Sequence, residues 1–167
     1  AATQIHGFAD KDVAGMPVFG KFVDQLRTAL AGRVIIGHHI AFDMAVLRFE
    51  AARAGIPWFE PPTLDLGQLI GALDRTLPDL GLETVTGNLG VKIGKRHDAL
   101  GDSMAVAEAF VKLLPRLRAA DISTLGEAQS LAAQRQDIVV RETQAGWHAR
   151  PSDTAAQPAA APSVRID

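Results

Sequence analysis

The chain has 167 residues, 47% of them hydrophobic and 22% charged, with a formal net charge of −2. That balance belongs to a globular domain with a real core rather than a disordered chain. It excludes a transmembrane helix, since no run of about 18 apolar residues occurs, and it excludes tight, sequence-blind coating of nucleic acid, which needs a strongly basic domain.

Residues 1 to 16 mix turn-prone types with little periodicity. From Pro17, apolar residues at Phe19, Phe22, Val23, Leu26 and Leu30 predict a helix with proline in its first turn. "RVIIG" reads as a short buried strand closed by glycine. "HHIAFD" leads into a helix over about Ala41 to Ala54. Its apolar residues lie on nearly every side, with Phe42, Val46 and Phe49 on one face and Met44 and Leu47 on another, which predicts burial all round. "GIPWFEPP" is loop, and Trp58 and Phe59 within it are expected to cover a core edge rather than stack on bases. "TLDL" predicts a second short strand, followed by a helix over Gly67 to Leu73. A short helix stopped by Gly90 comes next. The longest helix is expected over about Ala99 to Arg118, with a stripe at Leu100, Met104, Ala107, Phe110 or Val111, and Leu114, and with Pro115 bending or ending it late. A last helix begins near Thr124, where Thr124 and Glu127 have capping-box spacing. Residues 1–149 then form one domain. Residues 150–167, rich in Pro and Ala, read as a tail or interdomain linker in which Trp147 and His148, at its border, carry no chemistry.

Strand–helix alternation with short connections predicts an α/β layered domain, although one or two strands are few for a self-sufficient sheet. Cysteine is absent, which removes disulfides, thiolate metal sites and a cysteine nucleophile, and which fits a reducing cytoplasm. Tyrosine is absent as well.

Three residues carry possible chemistry. Asp102 sits in the first turns of the longest predicted helix, and Asp43 at the start of the helix after the first strand. Each by itself could simply stabilise the positive end of its helix. Strand ends and helix N-termini are also where α/β proteins place their sites. Hard divalent cations take carboxylate oxygens, and a pair of them clamps a phosphodiester displacement. An imidazole, here His97, takes the proton of the attacking water. Lys92, Lys95 and Arg96 are cations that could meet phosphates, or a solvated basic loop. Asp65 reads as a structural cap.

At these residues the chain resembles the DEDDh 3′→5′ exonucleases, the family of the bacterial DNA polymerase III proofreading subunit, which has a ribonuclease H-like fold. "GHHIAFD" (Gly37 to Asp43) resembles the family's second motif, usually His-Asn-Ala-x-Phe-Asp. "RHDALGDS" (Arg96 to Ser103) is similar to its third, His-x-Ala-x-x-Asp. The resemblance runs from about Thr3 to Leu117. It implies that Asp43 and Asp102 are metal ligands for Mg²⁺ or Mn²⁺, two ions in a complete site. It makes His97 the general base, places His38 near the substrate backbone and packs Phe42 beside the terminal nucleotide of a DNA or RNA 3′ end. The sister branch that uses tyrosine in place of the histidine is ruled out by composition. His39 departs from the usual asparagine. The family's first motif, Asp-x-Glu on the first strand, does not occur anywhere in the chain; the nearest match is Asp10-Lys11-Asp12, which reads as turn and helix lead-in. The resemblance therefore implies a domain truncated ahead of Ala1, in which helices dominate and the sheet is incomplete, drawn from a longer parent with further domains and weak or inactive as a fragment. Two alternatives remain beside it: a non-catalytic nuclease-like module binding nucleic acid or a partner, and an all-helical metal phosphohydrolase built on His97-Asp98, which the two strand-like segments disfavour.

Overall fold

The computed structural model describes residues 7–94 and 99–149. Its sheet has two short parallel strands, β1 (Ile35–Gly37) and β2 (Thr63–Asp65), with Ile36 opposite Leu64 and Gly37 opposite Asp65. Parallel neighbours need a long crossover; here it contains the helix Ile40–Arg53. In chain order the helices are α1 (Asp10–Val13), a 3₁₀ turn at Phe19–Lys21, α2 (Val23–Leu30), α3 (Ile40–Arg53), α4 (Leu66–Leu73), α5 (Leu82–Asn88), α6 (Ala99–Ala119), α7 (Leu125–Ala132) and α8 (Gln136–Gln144). The result is the incomplete α/β arrangement that the sequence predicts, with helices dominant.

The local signals explain the boundaries. Thr124 Oγ1 accepts the Glu127 N–H at 3.3 Å while Glu127 Oε2 accepts the Thr124 N–H at 2.9 Å, the reciprocal capping box that starts α7. Gly90 takes φ +67°, a left-handed conformation after α5 that glycine adopts without strain. Pro115 lies inside α6, which continues to Ala119.

Two cores form. The larger joins Leu64 of β2 and Leu66, Leu69 and Ile70 of α4 to Val85, Leu113, Leu117 and Leu125. Each such side chain contributes about 1.5–3 kcal/mol by leaving water. The smaller gathers Val23, Ala51 and Trp58, so Trp58 covers a core edge as expected.

Three expectations are corrected. The buried stripe of α6 is Ala105, Val106, Ala109, Leu113 and Leu117; Leu100, Met104 and Val111 face outward. The small alanines let α6 approach β1 closely, a gain that residue size conceals in the sequence. The helix after β1 is buried on one side only: Ile40, Met44, Arg48 and Ala51 point inward, while Phe42, Val46 and Phe49 are exposed. Finally, the helix at Thr124 is not the last, because α8 follows it.

Candidate active site

The site region grows out of the end of the sheet. Gly37 closes β1, and a Cβ there would lie 2.6 Å from the Ile40 side chain, so only glycine fits. His38 and His39 follow. His39 adopts φ 56°, ψ 38° as the residue that caps α3. Asp65, the last residue of β2 and buried, joins the two helix starts. Its Oδ2 accepts the Ile40 N–H at 3.0 Å and its Oδ1 accepts the Gln68 N–H at 2.9 Å. It is the structural cap that its position in "TLDL" predicts.

Asp43 lies in the first turn of α3, exposed. Its carboxyl pKa is raised, first by the protein mass around it and then by the charge of Asp65, while its own backbone hydrogen bond opposes the rise. Asp102 lies in the first turn of α6, half-buried, and its Oδ1 is shut off from solvent with no hydrogen-bond partner among the described residues. An orphaned, buried carboxylate oxygen is costly unless a cation meets it. The orphaned oxygen of Asp102 thus has the chemistry of a divalent-cation ligand. Asp43 and Asp102 both stand at the N-terminal turns of helices tied to β1: α3 leaves it and α6 packs against it.

His38 is half-buried, with Nε2 2.7 Å from the Leu80 carbonyl oxygen. Phe42 is exposed, its ring 5.4 Å from that of Trp147 at 65°. His97 lies outside the described residues, as do Lys95 and Arg96; Lys92 is exposed.

The chain after α7 contributes more than the sequence predicts. Trp147 packs against Phe42 and, at 6.3 Å, against His39. Arg48, buried on α3, donates to Glu60 and to the Trp147 carbonyl. Glu142 of α8 is 2% exposed; its Oε2 is 3.1 Å from His148 Nε2 and accepts from Gln68 Nε2 at 3.3 Å, while its Oε1 has no partner among the described residues. Burial raises the Glu142 pKa and outweighs the His148 bond, and the Asp65 charge adds to the rise. Burial also lowers the pKa of His39, helped by neighbouring His38. One ligand atom from each of His39, Asp65 and Glu142 lies within 4.8 Å of the others. The available sequence signal was Glu142 four residues beyond Ile138: a charge at a core-facing helical position.

Residues 1–110 match the exonuclease family of the RNase T type. The chain belongs to that family. It is 34% identical over 128 residues to a DNA polymerase III subunit epsilon-like protein of Rhodobacter capsulatus, covering 75% of this chain and 18% of that relative. It is 26% identical over 134 residues to a PolC-type DNA polymerase III of Caldanaerobacter subterraneus, covering 80% of this chain and 10% of the relative. The chain thus spans a fifth or less of the length of these relatives. Family membership makes this an exonuclease-type domain of ribonuclease H-like fold. Among the described residues no helix is long and apolar enough to cross a membrane.

Proposed function

We propose that this exonuclease-family domain removes nucleotides from nucleic-acid 3′ ends by phosphodiester hydrolysis, with divalent cations held by Asp43 and Asp102 and with His97 as general base. The observation that carries the reading is the Asp102 Oδ1, buried and without a partner among the described residues, on the helix that packs against β1. A divalent cation, Mg²⁺ or Mn²⁺, supplies charge stabilisation at the phosphorus oxygens when bound. The chain's own residues do the rest. His97 accepts the proton of the attacking water, a role that general-base catalysis rewards by about 10²–10⁴-fold. Phe42, exposed beside Trp147, offers a ring face to the terminal base. His38 approaches the substrate backbone, exchanging its Leu80 contact for a phosphate.

Because no Asp-x-Glu pair occurs in the sequence, the 167-residue chain alone binds cations weakly and turns over slowly. The test is release of mononucleotides from a 3′-labelled single-stranded oligonucleotide with Mn²⁺ and high protein concentration. The expected result is slow 3′ release, lowered at least about tenfold by His97→Ala and by Asp102→Asn. Robust turnover that survives Asp102→Asn, or release from the 5′ end, overturns the proposal. The absent first motif favours a second reading, a non-catalytic nucleic-acid-binding module. Retained oligonucleotide binding with no nucleotide release at any protein concentration would establish that one instead.

A further inference from the structure

The group of His39, Asp65 and Glu142 has no part in the hydrolysis described above. We propose that these three side chains form a second cation site, for a first-row transition ion such as Zn²⁺, that fastens α8 to the junction between β2 and α3.

Four observations carry this. The donor atoms already converge, within 4.8 Å of one another. Bonds of about 2.0–2.2 Å put tetrahedral donors around one zinc ion about 3.3–3.6 Å apart, so the three side chains need to close by roughly 1 Å. Second, Glu142 is 2% exposed and its Oε1 has no hydrogen-bond partner among the described residues. The His148 contact does not account for it, because it falls on the other oxygen, Oε2. Third, Asp65 spends one lone pair of each oxygen on the backbone N–H groups of Ile40 and Gln68. An ionised carboxylate has about four acceptor directions, so two remain. Fourth, there is room: Asp65, Gln68, Glu142 and His148 line a cavity of about 230 Å³, and His39 borders a neighbouring one of about 690 Å³.

The donor set selects the ion. Mg²⁺ prefers oxygen ligands and keeps its waters, whereas an imidazole nitrogen beside carboxylates suits zinc. His148 stands next to Glu142 as a possible fourth ligand, its nitrogen taking up the metal in place of Oε2. The imidazole that completes the set is His39, the residue at which this chain departs from the asparagine usual in the motif it resembles. Bound zinc would thus link the start of α3 to a helix more than 90 residues further along the chain.

Zinc titration of the chelator-stripped 167-residue chain tests the site, read by calorimetry and by thermal unfolding without nucleic acid. An Asp102→Asn background removes the ions assigned to hydrolysis, so that failure of that assignment and failure of this one are distinguishable. The expected result is one zinc per chain and a Tm raised by at least about 5 °C at hundredfold excess over Kd. His39→Asn and Glu142→Gln should each weaken zinc binding at least about tenfold. Asparagine tolerates the left-handed conformation of residue 39, so His39→Asn tests the ligand without breaking the turn. Should Glu142→Gln fail to fold in chelator, His39→Asn decides alone. Absence of zinc stabilisation, or zinc affinity unchanged in His39→Asn, overturns the proposal.

Discussion

α3 and α4 both follow a strand of the same small sheet and both carry apolar runs, yet they end in opposite environments. Leu66, Leu69 and Ile70 of α4 are completely buried, whereas Phe42, Val46 and Phe49 of α3 are 49%, 43% and 66% exposed. The difference lies in what covers them. α5, α6 and α7 pack around α4 or share its core. Over the outer face of α3, Trp147 against Phe42 is the one ring contact among the described residues. Apolar periodicity therefore reports how much surface a helix would gain by covering, and not whether the chain at hand supplies the cover.

The contrast can be broken most directly in the larger core. Leu69→Ala removes a side chain with no solvent exposure and should cost about 2–5 kcal/mol in equilibrium denaturation. Phe49→Ala, on the open face, should stay within about 0.5 kcal/mol; equal losses at the two positions would dissolve the distinction. Arg48→Met sharpens it on the inner side of α3. It removes the donors to Glu60 and to the Trp147 carbonyl and should cost about 1–3 kcal/mol. Trp147 fluorescence should then shift toward that of a solvated indole, while the burial of α4 stays unchanged.

The smallest expected effect concerns acid pH. Arg135 donates from Nε and Nη2 to Asp137 at 2.9 and 2.8 Å, and this holds the Asp137 pKa down at about 2. A depressed carboxyl pKa stabilises the folded state above the unfolded value and loses that contribution as pH falls from about 4 to about 2. Asp137 is half exposed, so screening keeps the effect below about 1 kcal/mol. Asp137→Asn should lower Tm slightly at pH 7, and the difference should fade as pH falls toward and below about 2. Glu142 has the opposite sign. Its raised pKa makes the metal-free protein gain stability from this group as pH falls toward the ordinary carboxylate range.

Much of the fold was legible because local chemistry decided it. "RVIIG" gave β1, "TLDL" gave β2 and its Asp65 cap, and Thr124 with Glu127 began α7. The face of α6 was not legible, because Ala105 and Ala109 bury less area than Leu100 or Met104 yet permit the closer approach. The segment after α7 was missed for a different reason. Glu142, Trp147 and His148 look like polar and aromatic residues near a linker, and their value lies in partners, Asp65, Gln68 and His39, roughly 75 or more residues away. Of the candidate site, Asp43 and Asp102 were read from motif spacing. The crowding around His39 was visible only in three dimensions.

β1 is paired with β2 along one flank, and among the described residues no strand lies along the other. Ile35 already donates to the Pro62 carbonyl on the β2 side, and backbone groups alternate along a strand, so those of Ile36 point to that flank and could pair with any extended segment, whatever its side chains. Concentrated preparations of the isolated chain thus have a route to copy-on-copy sheet growth that dilute ones lack, and shelf life should fall as protein concentration rises.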